Sequence, residues 1–267
     1  MPHRLAMSGS TIMSDASQFH KLFNKECSHV EIGEFEDMKS FEEFLEQREK
    51  HQVTYGVHSP LIRGESKYDL LEEVQYPVEE ARRQLVREAA ILSERGAEYL
   101  LVHFPFFLNE ATDSSRSQIE EGLHFLKELQ DQYQLPIVCE PKLGKNRSSY
   151  GIERLHAFPN NLLKKYDVSI CIDIGDYRMA TKEEWKTYVE PLLPFTKVIH
   201  LHNVVLGEEY YYWSPIHPDF DHYDMKPMIE LLSSGGRKYF VLEHTPHTNP
   251  SARQISEGVH WVSQLIT

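Results

Sequence analysis

Eight times along this chain a short run of strand-forming residues gives way to a stretch of helical period, and no linker interrupts the alternation. The strand candidates are residues 4–12, 29–33, 52–60, 99–106, 136–142, 168–175, 197–205 and 238–246. Helical patterns fall at about 15–26, 38–50, 78–95, 115–133, 151–165, 182–193, 223–234 and 251–265. Ser251 and Asp224 stand where N-caps of the last two helices belong. Strict alternation calls for a parallel sheet, because each crossover helix returns the chain to start the next strand in the same direction. Eight such units in 267 residues predict a closed (β/α)8 TIM barrel forming a single domain over residues 1–267. An open doubly wound sheet would want a glycine-rich phosphate loop after the first strand, and "SGSTIMSD" does not supply one.

A barrel gives the polar strand residues a direction. Side chains alternate along a strand between the barrel axis and the helices. In "VIHLHNVV" (198–205), Ile199 and Leu201 then face the helices, and His200 and His202 face the axis. The same parity turns Glu31, His58, His103, Glu140, Asp173 and Glu243 inward. Seven consecutive strands thus carry an inward acid or imidazole near the C-terminal mouth, where barrel enzymes keep their chemistry.

Several carboxylates in one axial region repel unless they are protonated or share a cation, and the sequence offers little basic charge there. Imidazoles mixed with carboxylates are a ligand set of Zn2+ or Mn2+. We therefore expect a divalent-metal centre holding one ion, with two or three as the alternative. Glu31 is expected beside the ligands, and Cys171 as core filler.

The ordered set His58, His103, "VCEPK" with Glu140, "CIDIGD" with Asp173, "HLHN" with His200 and "LEHTP" with Glu243 resembles the xylose-isomerase-like TIM-barrel superfamily. That superfamily includes sugar-phosphate isomerases and epimerases and the endonuclease IV type of AP endonuclease, and the resemblance covers nearly the whole chain. It implies a metal held by Glu140, Asp173, His200 and Glu243. It also implies further ligands among His58, His103 and His217, with Asp176 a candidate as a carboxylate. Two positions depart from the family pattern: Asp176 replaces a histidine after strand six, and Pro215 replaces an aspartate in the loop after strand seven.

The chemistry implied is a metal-dependent isomerase or epimerase working through an enediolate. Glu140 and Glu243 would exchange protons with the substrate, and His202 would orient a hydroxyl. A phosphoesterase acting on abasic DNA is the second reading, and a non-catalytic small-molecule-binding barrel the third.

The loops after the strands should meet the substrate. Arg63, Lys142, Arg147 and Arg178 are cations at the expected mouth, suited to a phosphate or carboxylate. Tyr212 and Trp213, within "YYYW", offer aromatic faces for a sugar ring or a subunit contact in a homo-oligomer. The expected partner is a small sugar or sugar phosphate. With a formal net charge of −13 and only isolated loop cations, nucleic acid is a poor fit. Three scattered cysteines and no apolar run of membrane-spanning length indicate a cytoplasmic protein.

Overall fold

The computed structural model describes residues 3–108, 115–158, 160–206, 211–219 and 223–267. Its strands are β1 (Arg4–Ser8), β2 (His29–Ile32), β3 (Thr54–His58), β4 (Leu100–His103), β5 (Ile137–Glu140), β6 (Ser169–Asp173) and β7 (Thr196–Leu201). They continue with β8 (Asn203–Leu206), β9 (Tyr211–Ser214) and β10 (Tyr239–Leu242). Eight of them, β1 to β7 and β10, pair in parallel and close into a barrel. Closure is made by β1, whose Met7 lies opposite Val30 of β2 on one side and Leu242 of β10 on the other. The expected TIM barrel is therefore the fold.

The helices α1 (Met38–His51), α2 (Val78–Arg95), α3 (Ser115–Tyr133), α4 (Tyr150–His156) and α5 (Asn160–Tyr166) follow β2 to β5. After them come α6 (Ile174–Thr181), α7 (Trp185–Val189), α8 (Lys226–Leu232) and α9 (Ala252–Leu265). Strand parity sorts the core into two bodies. The outward residues, Ile137, Cys139, Ile170, Ile172, Ile199, Leu201 and Phe240 among them, join the large helix-covered core. The inward apolar set is small: Ala6, Leu101, Val138, Cys171, Val198 and Val241 with Tyr99 and Tyr239. Among the described residues no helix is long and apolar enough to cross a membrane.

Several boundaries differ from the sequence reading; the helical run 151–165, for one, is broken into α4 and α5. The run 197–205 is not one strand: β7 leaves the barrel after Leu201, and Asn203 starts β8, which pairs antiparallel with β9 as a hairpin over the mouth. The run 168–175 stops at Asp173, whose carboxylate caps α6 by accepting from the Asp176 backbone N–H at 3.0 Å. Residues 182–193 hold only the short α7 between two 3-10 turns, since Pro191 and Pro194 cannot donate to a continuous helix. Ser251 does cap α9, in a capping box with Gln254. Asp224 instead accepts from Lys226 N–H at 3.0 Å, one residue ahead of the true cap, Met225.

Candidate functional site

Strands β2 to β7 each deliver an inward polar residue toward the C-terminal end, and the register sets two neighbouring pairs directly opposite each other. His103 of β4 lies opposite Glu140 of β5, and Asp173 of β6 opposite His200 of β7. Around the fully buried Glu140, Oε2 has His58 Nε2 at 3.3 Å and His103 Nε2 at 3.2 Å, while Oε1 has His200 Nδ1 at 3.2 Å. His200 Nδ1 is also 3.1 Å from Glu243 Oε2, and its Nε2 meets Glu31 Oε1 at 2.7 Å. Glu31 in turn accepts the Tyr99 hydroxyl at 2.8 Å.

The expectation of little basic charge on the axis is overturned by Lys142. It sits two residues past Glu140, so strand parity turns it to the same side. Its Nζ lies 3.1 Å from Glu140, 3.0 Å from Asp173 and 2.7 Å from Asp176. Lys142 is thus the counter-ion of three acids rather than a loop cation waiting for substrate, although part of it still reaches the cavity wall. Burial opposes its charge, but Asp173, Asp176, Glu140 and Glu243 outweigh burial and hold it firmly protonated.

The acids around it divide. Burial works against an ionised Asp173, yet His202 and Lys142 keep its carboxyl well below the usual range. Burial and the neighbouring Asp173 push Asp176 up to about 7. Burial also disfavours charge on both His200 and His103. Cys171 and the carboxylates of Glu31, Glu243 and Glu140 reverse this for His200, whereas His103 stays neutral.

Among the described residues, three groups of side chains bring ligand atoms within 4.8 Å of one another: His58–His103–Glu140, Glu140–Cys171–His200 and Asp173–His202–Glu243. Within the expected set Glu140–Asp173–His200–Glu243, His200 Nδ1 lies 3.2 Å from Glu140 and 3.1 Å from Glu243, and Asp173 is its register partner. Lys142 Nζ contacts both Glu140 and Asp173, and the other ring nitrogen of His200 is bound to Glu31. It is His202, where the chain leaves the barrel, that joins Asp173 and Glu243, with its Nε2 2.8 Å from Asp173 Oδ1.

The donor atoms suit a cation. His202 Nε2 and Glu243 Oε2 have charged neighbours at 2.8 and 3.1 Å, yet neither makes a hydrogen bond of acceptable direction. Buried atoms left so cost free energy unless something else takes them. A divalent ion with nitrogen and oxygen ligands is such a partner.

Sequence inspection missed the residue that seats His202. A Cβ at Gly175 would lie 2.1 Å from His202 Cε1, so only glycine fits beneath the ring. A glycine two residues past a strand ending in a buried acid was the available signal. Above, the Trp213 ring stacks on His202 at 5.0 Å.

A cavity of about 550 Å3 opens at this mouth. Its wall includes Glu31, His58, Arg63, His103, Lys142 and Glu243, with Tyr211 and Trp213 from the hairpin. The alternation of β9 turns Tyr211 and Trp213 inward and leaves Tyr212 exposed, so Tyr212 is not a wall residue. Tyr210 lies outside the described residues. Arg63 lines the cavity while donating to Met13 O at 2.8 Å. The guanidinium of Arg147 lies 5.3 Å from the Tyr211 ring centre.

Two expected contacts are turned elsewhere. Arg178 is buried in α6, donating to Lys182 O and Glu183 beneath Tyr223. His217 pairs with Glu257 of α9 at 3.2 Å, because its loop packs on that helix where Gly258 meets Ile216 O. Phe104 and Phe107 belong to the helix-facing core rather than the mouth.

The sequence model described as xylose isomerase-like TIM barrel matches residues 20–265. No curated protein matches the sequence. The 3-keto-D-glucoside 4-epimerase of E. coli superposes with a TM-score of 0.69 at 12% identity, covering 98% of this chain and 99% of that one. A xylose isomerase-like TIM barrel protein from Mycobacterium smegmatis, solved in complex with magnesium, gives 0.66 at 14% identity over 94% and 88%. An AP endonuclease, family 2, from Brucella melitensis gives 0.66 at 14% identity over 99% of each chain.

Proposed function

Because the chain belongs to the xylose isomerase-like TIM barrel family, we propose that it is a divalent-cation-dependent isomerase or epimerase of a small sugar or sugar phosphate. In this reading its whole length is one barrel domain. The observation that carries the reading is the convergence of Asp173, His202 and Glu243 at the barrel mouth, with Glu243 opening into the cavity. The cavity's size suits a small ligand, and the inward faces of Tyr211 and Trp213 suit the apolar face of a sugar ring. The epimerase neighbour supports the same substrate class.

Asp173, His202 and Glu243 hold the cation, whose chemistry when bound is to polarise a carbonyl and its adjacent hydroxyl. The turn at Gly175 seats the His202 ring, and Trp213 covers that ring against water. Burial would neutralise Glu243, but His200 beside it keeps the carboxyl below its ordinary range, ionised and ready to accept a proton. Glu243 takes the proton from the carbon next to the carbonyl. Glu243 then returns that proton to the substrate, while His103, neutral and on the cavity wall, accepts a hydrogen bond from a substrate hydroxyl. Glu140 is enclosed by His58, His103, His200 and Lys142, so it positions these groups rather than meeting substrate.

One observation favours a second reading. His58, His103 and Glu140 form another ligand-type group, as a multi-ion phosphoesterase would require. The pairing of His217 with Glu257 and the net charge of −13 weigh against it.

Manganese-loaded protein offered keto-sugars and their phosphates in deuterated water should place deuterium on a carbon beside the carbonyl. Metal-dependent cleavage of an abasic-site duplex, with no deuterium entering any sugar, would reverse the assignment.

A further inference from the structure

We propose that Lys142 is a tethered cation that competes with the divalent ion for the carboxylates of the barrel mouth, and so sets how tightly the metal is held. The inference rests on the cation-binding reading above. It starts from the position of Nζ, in contact with Glu140, Asp173 and Asp176 at 2.7 to 3.1 Å and almost wholly buried. Asp173 is shared: Oδ2 faces the ammonium, and Oδ1 faces His202 of the ligand group.

An ion roughly 2.2 Å from Asp173 Oδ2, the ordinary coordination distance, would lie within about 5 Å of Nζ in its present place. At that separation, among almost wholly buried groups, two positive charges repel strongly. The divalent ion must either displace the ammonium or bind more weakly beside it.

The lysine has little freedom to withdraw at its backbone. Its N–H donates to Pro105 O at 3.3 Å, and Gly151 packs so close that a Cβ there would lie 2.6 Å from Lys142 O. Adjustment therefore falls to the four-carbon stem, which passes beside the Trp213 ring with Nζ 5.2 Å from its centre. In the metal-free protein the ammonium neutralises acids that would otherwise repel one another, and the site keeps its shape between ions.

Calorimetric titration of metal-stripped full-length protein with Mn2+ tests the proposal in wild type, Lys142→Met and Lys142→Arg. Methionine keeps the stem and loses the charge, so Lys142→Met should bind Mn2+ at least tenfold more tightly. Lys142→Arg, which keeps the charge, should not gain. The melting temperature of metal-free Lys142→Met should fall, and Mn2+ should restore it by more than it raises that of wild type. If Lys142→Met is too unstable to titrate, the Lys142 Nζ resonance of 15N-lysine-labelled wild type should shift when Zn2+ is added. Wild-type affinity retained unchanged in Lys142→Met, or an Nζ resonance unmoved at saturating Zn2+, overturns the role of the lysine alone. No metal binding by any of the proteins would overturn the cation reading with it.

Discussion

At the scale of single residues, the site depends on a glycine as much as on its acids. Gly175 leaves the space that His202 fills, and a methyl group there would overlap the imidazole at 2.1 Å from Cε1. Neither neighbour yields easily, since His202 is fully buried between this turn and Trp213. Overpacking of this kind costs about 1–3 kcal/mol. Gly175→Ala should therefore lower the urea midpoint and, by tilting His202 away from Asp173, weaken Mn2+ binding severalfold. A variant that matches wild type in both measurements would show that the turn relaxes freely. The sequence made the acids and imidazoles legible, because strand parity alone turned them inward. It did not reveal that His202 groups with Asp173 and Glu243 while His200 groups with Glu140 and Cys171: both share one face, and only the strand break after Leu201 separates them. The reach of Lys142 back onto three carboxylates was hidden for a related reason, since a lysine after a strand is usually read as a loop cation.

At the scale of elements, the helices report which local signals survive in three dimensions. Ser251 and Gln254 form a complete capping box at α9, so Ser251→Ala should cost about 1 kcal/mol, measured as a fall in chemical stability. Helices of strong period, α1, α2 and α3, were readable to within a residue or so. The short α6 was not, because it begins directly on a strand residue with Asp173 as its cap. A second element-scale test concerns α2, whose buried Glu88 accepts from Leu61 N–H at 3.0 Å and the Ser59 hydroxyl at 2.7 Å, fixing the turn after β3. Burial raises its carboxyl from 4.5 to about 7 despite these bonds. The folded state thus holds a proton that the unfolded chain releases. Its stabilising contribution is complete below about pH 4.5, is lost as pH climbs toward 7, and stays flat above. A shift of this size is worth about 3 kcal/mol across that window. Glu88→Gln should remove this component of the pH dependence, seen by comparing urea midpoints of the two proteins at pH 5 and pH 7. Parallel curves for variant and wild type would contradict the assignment.

At the scale of the whole molecule, a column of polar side chains runs through the barrel interior, where branched apolar residues normally fill the layers. At the closed end Arg4 donates to Thr54 Oγ1 at 2.6 Å, and Thr54 Oγ1 meets His29 Nδ1 at 2.7 Å. His29 Nε2 lies 3.3 Å from the Tyr99 hydroxyl, which donates to Glu31, and Glu31 holds His200 at the mouth. Gly56 of β3 makes the column fit, because a Cβ there would lie 2.3 Å from the Tyr99 ring. Buried polar groups stay only when each finds a partner, and removing one partner strands the next. Tyr99→Phe keeps the ring and its packing but leaves Glu31 Oε2 and His29 Nε2 without the hydroxyl between them. The expected cost is about 1–3 kcal/mol of stability, the usual penalty for stranding a buried polar group. Because Glu31 also holds His200, which lies against Glu243, Mn2+ affinity should fall in the same variant. Tyr239→Phe, at the closed end and bonded to Glu98, should leave Mn2+ affinity unchanged. If Tyr99→Phe unfolds in urea like wild type, the column is dispensable. If it loses stability but keeps full metal affinity, the column supports the barrel without orienting the site.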